Sequence, residues 1–174
     1  HLDPAVSYSN NEIGFIAQIY EPPLQYHYLK RPYSLMPSTL REMPVVTFYD
    51  KAGRALPESA PADQVARTVY RLSLRDDVRY QPHPAFSLAA DGAPRYLNLG
   101  AGEVRTVQSA RGPMALPELG SRALRAQDYV YQIKRLAQPS VQSPIFGTMA
   151  EHILGLRALS EEIKRAERAQ AGAW

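Results

Sequence analysis

Proline placement is the feature that most constrains the fold of this chain. Its 174 residues include fifteen prolines, against an average usage of about 5%, and thirteen of the fifteen lie before residue 118. Proline lacks a backbone N–H and clashes with the preceding helical turn, so it interrupts helices and central strands. We therefore expect short elements joined by extended segments in the first two thirds, and longer helices only from residue 122 onward.

The first 44 residues fit a short helix followed by an extended segment. Residues 9–21 carry apolar side chains at helical spacing, with Ser9 or Asn10 available as an N-cap, and two consecutive prolines then end the helix. Residues 24–44 hold three more prolines and a run of tyrosines. We interpret them as an extended stretch that lies across the surface.

Two strand signals follow in the middle of the chain. "VVTFYDKAGRAL" predicts a strand and a turn at residues 50–53. "RTVYRLSLRDDVRY" alternates apolar and polar residues, and this period of two predicts a strand with one buried face. The predicted antiparallel sheet includes residues 67–74, buries Tyr70, Leu72 and Leu74, and has the helix at 126–137 packed nearby.

The rest of the chain divides into an irregular span and a helical end. Residues 81–120 are rich in proline and glycine, which predicts the most irregular backbone of the chain, with at least one short hairpin around "RYLNLG" and "EVRTVQS" and no helix longer than three turns. Helices are predicted at 126–137, 144–156 and 158–170. Strands in the middle and helices at the end indicate an α+β fold.

The residues offer little catalytic chemistry. A net charge of +3 is too weak to favour nucleic acid as a partner, and the chain has no cysteine. The four histidines lack zinc-ligand spacing, "LGAGE" lacks the Lys-Ser/Thr of a phosphate loop, and Asp76-Asp77 fits a turn. We therefore expect no catalytic residue, no metal site and no cofactor. The sequence is compatible with a binding function, because the eleven tyrosines supply rigid amphipathic contact area.

Three motifs resemble the family 5 extracellular solute-binding proteins, the peptide-type receptors of ABC importers. They are "LDPAVSYSNNEIGFIAQIYEPPLQY", "RTVYRLSLRDDVRYQPHPAF" and "LRAQDYVYQIKRLAQPSVQSPIFGTM", in the family's order. The family usually has Thr or Ser where Arg125 precedes the third motif's helix, and Gly where Pro22 stands. Residues 81–120 form a long insertion relative to the family. These departures leave the identity of the solute open.

The resemblance implies an extracytoplasmic receptor that captures a peptide-like or other polar solute and docks on a membrane permease. The fold would be part of a type II periplasmic-binding-protein fold. Residues 1–44 would contribute the helix and extended segment of lobe one, and 45–174 an α+β subdomain that includes the insertion 81–120. The start at His1-Leu2-Asp3-Pro4 leads us to expect a processed, periplasmic chain that represents the front part of such a receptor.

The resemblance also places the segment after "LDP" at the cleft wall, which makes Ser7, Tyr8, Ser9 and Asn10 candidate ligand-binding residues. A helix-capping loop is the alternative interpretation of the same four residues. A stand-alone structural or interaction module that has lost transport is the alternative for the whole chain.

Overall fold

The structure is a computed structural model that describes residues 2–109 and 112–171. It divides into two compact units, which are described separately: one made of His1–Leu74 and Arg125–Trp174, the other of Arg75–Leu124. The described residues contain five α-helices and five strands: α1 (Asn10–Ile19), α2 (Ala101–Ser109), α3 (Ala126–Leu136), α4 (Phe146–His152), α5 (Leu156–Ala171), β1 (Leu24–Tyr26), β2 (Leu35–Pro37), β3 (Val45–Tyr49), β4 (Ala55–Leu56) and β5 (Arg67–Arg71).

Both sheets of the first unit are small and antiparallel. Strands β1 and β2 pair with each other, so the segment predicted as merely extended contains a hairpin. The second sheet has the order β4-β3-β5. A turn joins β3 to β4, where Gly53 has a φ of 79°, a left-handed conformation that glycine adopts without steric cost. Helices and small antiparallel sheets together confirm the α+β class.

The predicted buried face of the second sheet is wrong. Tyr70 is 62% exposed and Leu72 is 47% exposed. Val46, the partner of Tyr70 across the ladder, is exposed as well. Arg71 and Arg75 are also exposed, so the polar face of the strand is not buried in place of the apolar one. The period of two identified the strand correctly, but it cannot say whether another layer covers the apolar face.

The helices of the first unit are confirmed in position, since α1, α3, α4 and α5 fall within or close to the predicted spans. Helix α3 lacks a side-chain acceptor at Arg125, as expected from the sequence. The Asp128 carboxylate instead accepts a bond from the Arg125 backbone N–H at 2.8 Å. Carboxylates in the first helical turn also interact favourably with the helix dipole.

The core of the first unit is narrow. Its buried side chains come from the N-terminal turn, the segment after β2, the end of α3 and the start of α5; they are Ala5, Thr39, Leu40, Leu136, Ala137, Leu156 and Ser160. The Leu40 backbone forms an isolated antiparallel bridge with Leu74. This bridge joins the segment after the hairpin to the chain that leaves β5.

The second unit is held by isolated bridges and one close backbone approach. Arg79 pairs with Ala123 and His83 with Gly120. A Cβ atom on Gly120 would collide with the backbone of Phe86. The Arg122 guanidinium lies 4.6 Å from the Tyr80 ring centroid and 5.2 Å from that of Phe86, a distance suited to cation–π attraction.

The irregular character of residues 81–120 is confirmed in its described part. A short hairpin is present where Leu88 bridges Pro94, but the expected location at "EVRTVQS" is wrong. Helix α2 occupies residues 101–109, so the last three residues of "LGAGE" form its first turn. The Glu103 carboxylate accepts a bond from the Gly100 N–H at 3.0 Å. This bond satisfies an N–H at the helix start, so the glycines there did not prevent a helix.

Candidate functional site

The four predicted ligand-binding residues lie between a tight turn at Asp3 and the first turn of α1. The Asp3 carbonyl accepts bonds from the N–H groups of Val6 at 3.0 Å and Ser7 at 2.9 Å. Its carboxylate accepts a third bond from the Ala5 N–H at 2.9 Å, and Ala5 is fully buried. An aspartate that bonds the backbone two residues on stabilises a local turn, so the chain enters residues 7–10 from a fixed point.

An ion pair holds this turn against α3. The Arg135 guanidinium donates to both Asp3 carboxylate oxygens, at 3.0 and 2.5 Å. Both side chains are mostly shielded from water, with 28% and 23% of their surfaces exposed. The hydrogen bond from Arg135 is the main cause that lowers the pKa of Asp3 below its usual value. Two parallel N–H···O bonds of this kind fix geometry as well as charge.

A second contact joins α3 to the chain that follows α1. The Tyr129 hydroxyl lies 2.6 Å from the Thr39 hydroxyl and donates to the Glu21 carbonyl at 3.2 Å. Thr39 is buried, and burial is the main cause that raises the pKa of Tyr129. Helix α3 is therefore fastened to the chain on both sides of α1.

Ser7 and Ser9 have structural partners. The Ser7 hydroxyl donates to the Glu12 carboxylate at 2.7 Å. The Ser9 hydroxyl accepts a bond from the Asn11 N–H at 3.2 Å and is the N-cap of α1. The helix-capping interpretation is thus correct for Ser9, and both serines position the loop.

Tyr8, Ser9 and Asn10 are all exposed, but the Ser9 hydroxyl is used as the N-cap of α1. The Tyr8 side chain is 78% exposed, and Asn10 is exposed at the first position of α1. A phenol ring and a carboxamide offer stacking area, hydrogen-bond donors and hydrogen-bond acceptors. They suit contact with a polar solute, whereas neither is a nucleophile activated by a neighbouring base.

A separate concavity of about 620 Å³ lies at the β3–β4 turn, away from these residues in sequence. Its lining includes Asp50, Lys51 and Arg54. The Asp50 carboxylate already accepts bonds from the Arg54 backbone and guanidinium, each at 2.9 Å. The concavity is open and its Asp50 and Arg54 side chains are paired with each other, so we give Tyr8 and Asn10 more weight.

The described part of the chain has neither a cluster of metal ligands nor a membrane-spanning helix. No group of three or more metal-ligating side chains comes together within residues 2–109 and 112–171. No helix in those ranges combines the length and the hydropathy needed to cross a bilayer.

Sequence reasoning missed the two contacts that position the site. Asp3 and Arg135 are 132 positions apart, and Thr39 and Tyr129 are 90 apart. Nothing in local periodicity indicates such pairs. The usable signal was that Asp3, Tyr129 and Arg135 all lie within the motifs that carry the family resemblance.

No family model, curated protein or solved structure matches the chain.

Proposed function

We propose that the chain forms the beginning of lobe one of an extracytoplasmic solute-binding receptor, which captures a peptide-like or other polar solute for an ABC importer in the periplasm. The observation that carries the proposal is the meeting of two motifs that are far apart in sequence. Asp3 of "LDP" pairs with Arg135 of "AQDYVYQIKRL". Tyr129 of the same helix bonds the Glu21 carbonyl of "YEPP".

This arrangement assigns a structural role to the motif residues. Helix α3 holds the turn before α1 through Arg135 and the chain after α1 through Tyr129. The segment from Ser7 to Asn10 is thereby supported by structure on either side of it. Binding residues are commonly found on loops that a rigid scaffold positions, and this loop meets that description.

Within the loop we assign different roles to the four residues. Tyr8 and Asn10 contact the solute, since their side chains are exposed and, unlike the exposed Ser9, neither is the N-cap of α1. Ser7 and Ser9 keep the loop in place through Glu12 and the α1 N-terminus. No covalent chemistry is needed, which agrees with a receptor that releases its solute unchanged.

In this proposal a second lobe completes the cleft. Closure of two lobes around a hinge buries the solute between them, and the contacts made only in the closed state drive the movement. The closed receptor then docks on a membrane permease, as the family resemblance implies. In this proposal the complete receptor has the type II periplasmic-binding-protein fold, and this chain forms part of it.

The test uses the complete product of the reading frame that encodes this chain. We expect the frame to continue into a second lobe, and a mixture of short peptides to raise the thermal unfolding midpoint of the purified product. Tyr8→Ala should abolish the rise, whereas Tyr131→Ala, an exposed tyrosine on α3, should keep it. A frame without a second lobe, or equal responses of the two variants, would refute the proposal.

The alternative is an interaction module without a transport role. Its supporting observation is that α1 exposes Ile13, Phe15 and Ile19, which is more apolar surface than a solvated helix needs. The reading frame discriminates between the two functions, because a stand-alone module requires no second lobe.

A further inference from the structure

The loop between β1 and β2 projects a compact group of aromatic and basic side chains, which we call the hairpin tip (residues 26–33). The His27 N–H donates to the Ser34 carbonyl at 2.8 Å. The His27 ring nitrogen Nδ1 accepts bonds from the N–H groups of Leu29 and Lys30, at 3.2 and 3.3 Å. The Arg31 guanidinium donates to the Tyr28 and Lys30 carbonyls at 3.3 and 2.9 Å. These bonds define the loop without using the side chains of Tyr28 and Leu29.

The side chains that the loop leaves outside are large and apolar. Tyr28 is 87% exposed and Leu29 is 77% exposed, and no other described large apolar side chain is more exposed than Tyr28. Behind them, the Tyr26 and Tyr33 rings meet edge to face with centroids 5.8 Å apart. Both of these rings are largely exposed too. The tip thus presents one leucine and three tyrosines to the exterior.

The charge of this region is of one sign. Lys30 and Arg31 lie within the tip, and no aspartate or glutamate occurs between Glu21 and Glu42. The Arg31 guanidinium lies 4.4 Å from the Tyr33 ring centroid. Exposed tyrosines and a leucine beside the two cations of the tip favour a partner that is apolar and anionic at the same place.

We propose that the hairpin tip attaches the protein reversibly to a lipid surface that contains anionic headgroups. Tyrosine rings sit favourably at the boundary between headgroups and acyl chains. Apolar side chains inserted at that depth bind in proportion to the area they bury, and nearby cations add electrostatic attraction to anionic lipid. The tip supplies both contributions within eight residues.

The charges favour this occupant over a second copy of the chain. Two tips that met face to face would bring their cations together, with no acidic residue of the hairpin to offset the repulsion. The attachment is weak, because a short apolar loop with two cations falls below what stable anchoring requires. It is independent of the proposed solute binding and is measured without any solute.

The experiment is co-sedimentation of the 174-residue chain with vesicles. One set is phosphatidylcholine alone, and the other is phosphatidylcholine mixed with phosphatidylglycerol. We expect binding to the mixed vesicles, little binding to phosphatidylcholine, and weaker binding at about 1 M salt, where the Debye length falls to about 3 Å.

Matched variants locate the contact. Tyr28→Ala combined with Leu29→Ala should reduce the vesicle affinity on the order of tenfold. Tyr131→Ala combined with Leu154→Ala, which removes comparably exposed side chains outside the hairpin, should leave it unchanged. Lys30→Gln should reduce the affinity about fivefold, whereas Lys51→Gln in the β3–β4 turn should not. Circular dichroism and the thermal midpoint verify that each variant is folded.

Several outcomes would overturn the proposal. Equal binding to both kinds of vesicle, or no binding, would remove the anionic surface as the partner. Equal losses in the tip variants and their controls would place the contact elsewhere. A dimer in sedimentation velocity that Tyr28→Ala and Leu29→Ala abolish would show that the tip binds a second copy instead.

Discussion

Two side-chain pairs determine how the N-terminal segment is held. Asp3 with Arg135 and Thr39 with Tyr129 both connect α3 to chain that precedes residue 44. Each pair is at least partly shielded from water, so the loss of one partner leaves a polar group without compensation. By contrast, Asp77 pairs with Arg75 in a largely exposed position, where ion pairs contribute little to stability.

Asp3→Asn should destabilise the protein by about 1–2 kcal/mol, between the values typical of exposed and of buried ion pairs. The thermal midpoint should fall by several degrees. Asp77→Asn is the matched control, and we expect no measurable change in its midpoint. Equal midpoints for the two variants would show that the Asp3–Arg135 pair does not anchor the N-terminal turn.

The same pair predicts a pH dependence. The pKa of Asp3 is lower in the folded protein than its usual value, so the pair stabilises the fold above the unfolded-state pKa of about 3.9. The contribution is lost as the pH falls through the folded pKa. The difference in unfolding free energy between the unsubstituted chain and Asp3→Asn should therefore be constant near neutrality and shrink below about pH 4. A difference that grows on acidification would contradict this assignment.

Tyr129→Phe should cost about 1–2 kcal/mol, because it removes the hydroxyl that lies 2.6 Å from the buried Thr39 hydroxyl. Tyr131→Phe, two residues along the same helix and exposed, is the control and should be neutral. Urea unfolding monitored by circular dichroism gives both values. A neutral Tyr129→Phe would mean that water replaces the lost hydroxyl without cost.

At the scale of elements, the sequence predicted the helices with clear apolar spacing and missed the exposure of one sheet face and the existence of α2. The α1 and α3 helices follow from apolar spacing, and α1 also from its N-cap, which are local properties. The exposed Tyr70 and Leu72 contradict the predicted buried face, because burial requires a covering layer that strand alternation does not encode. Helix α2 was missed since its glycines and polar residues resemble a turn, and the bond from the Gly100 N–H to Glu103 is visible only in the structure.

Two glycine substitutions, one in each unit, test the local backbone environment. Gly120→Ala should destabilise the second unit, because the new Cβ collides with the Phe86 backbone at the bridge that pairs His83 with Gly120. Gly14→Ala is the control: it lies inside α1 with open space around it, and it should stabilise the helix by roughly 0.5–1 kcal/mol. Amide hydrogen exchange, read separately for Arg75–Leu124 and for α1, checks both. Unchanged exchange in Gly120→Ala would contradict the close approach.

At the scale of the whole molecule, the candidate site was predicted only in part from the sequence. The family resemblance indicated Ser7, Tyr8, Ser9 and Asn10 as a group. The structure separates the two serines, whose hydroxyls bond Glu12 and the start of α1, from the exposed Tyr8 and Asn10. That separation depends on Glu12 and on the exact start of α1, which the motif does not specify. The site as described is an open surface, so solute capture rests on the second lobe of the proposed receptor.

Calorimetric titration of a peptide mixture into the 174-residue chain and into the complete gene product tests this claim most directly. An open surface must offset the several kcal/mol of translational and rotational freedom lost on binding with only a few contacts. We predict micromolar binding by the complete product, and millimolar binding or no measurable heat for the 174-residue chain. A micromolar isotherm for the 174-residue chain that Tyr8→Ala abolishes would contradict the account, because it would make this chain a complete binding module.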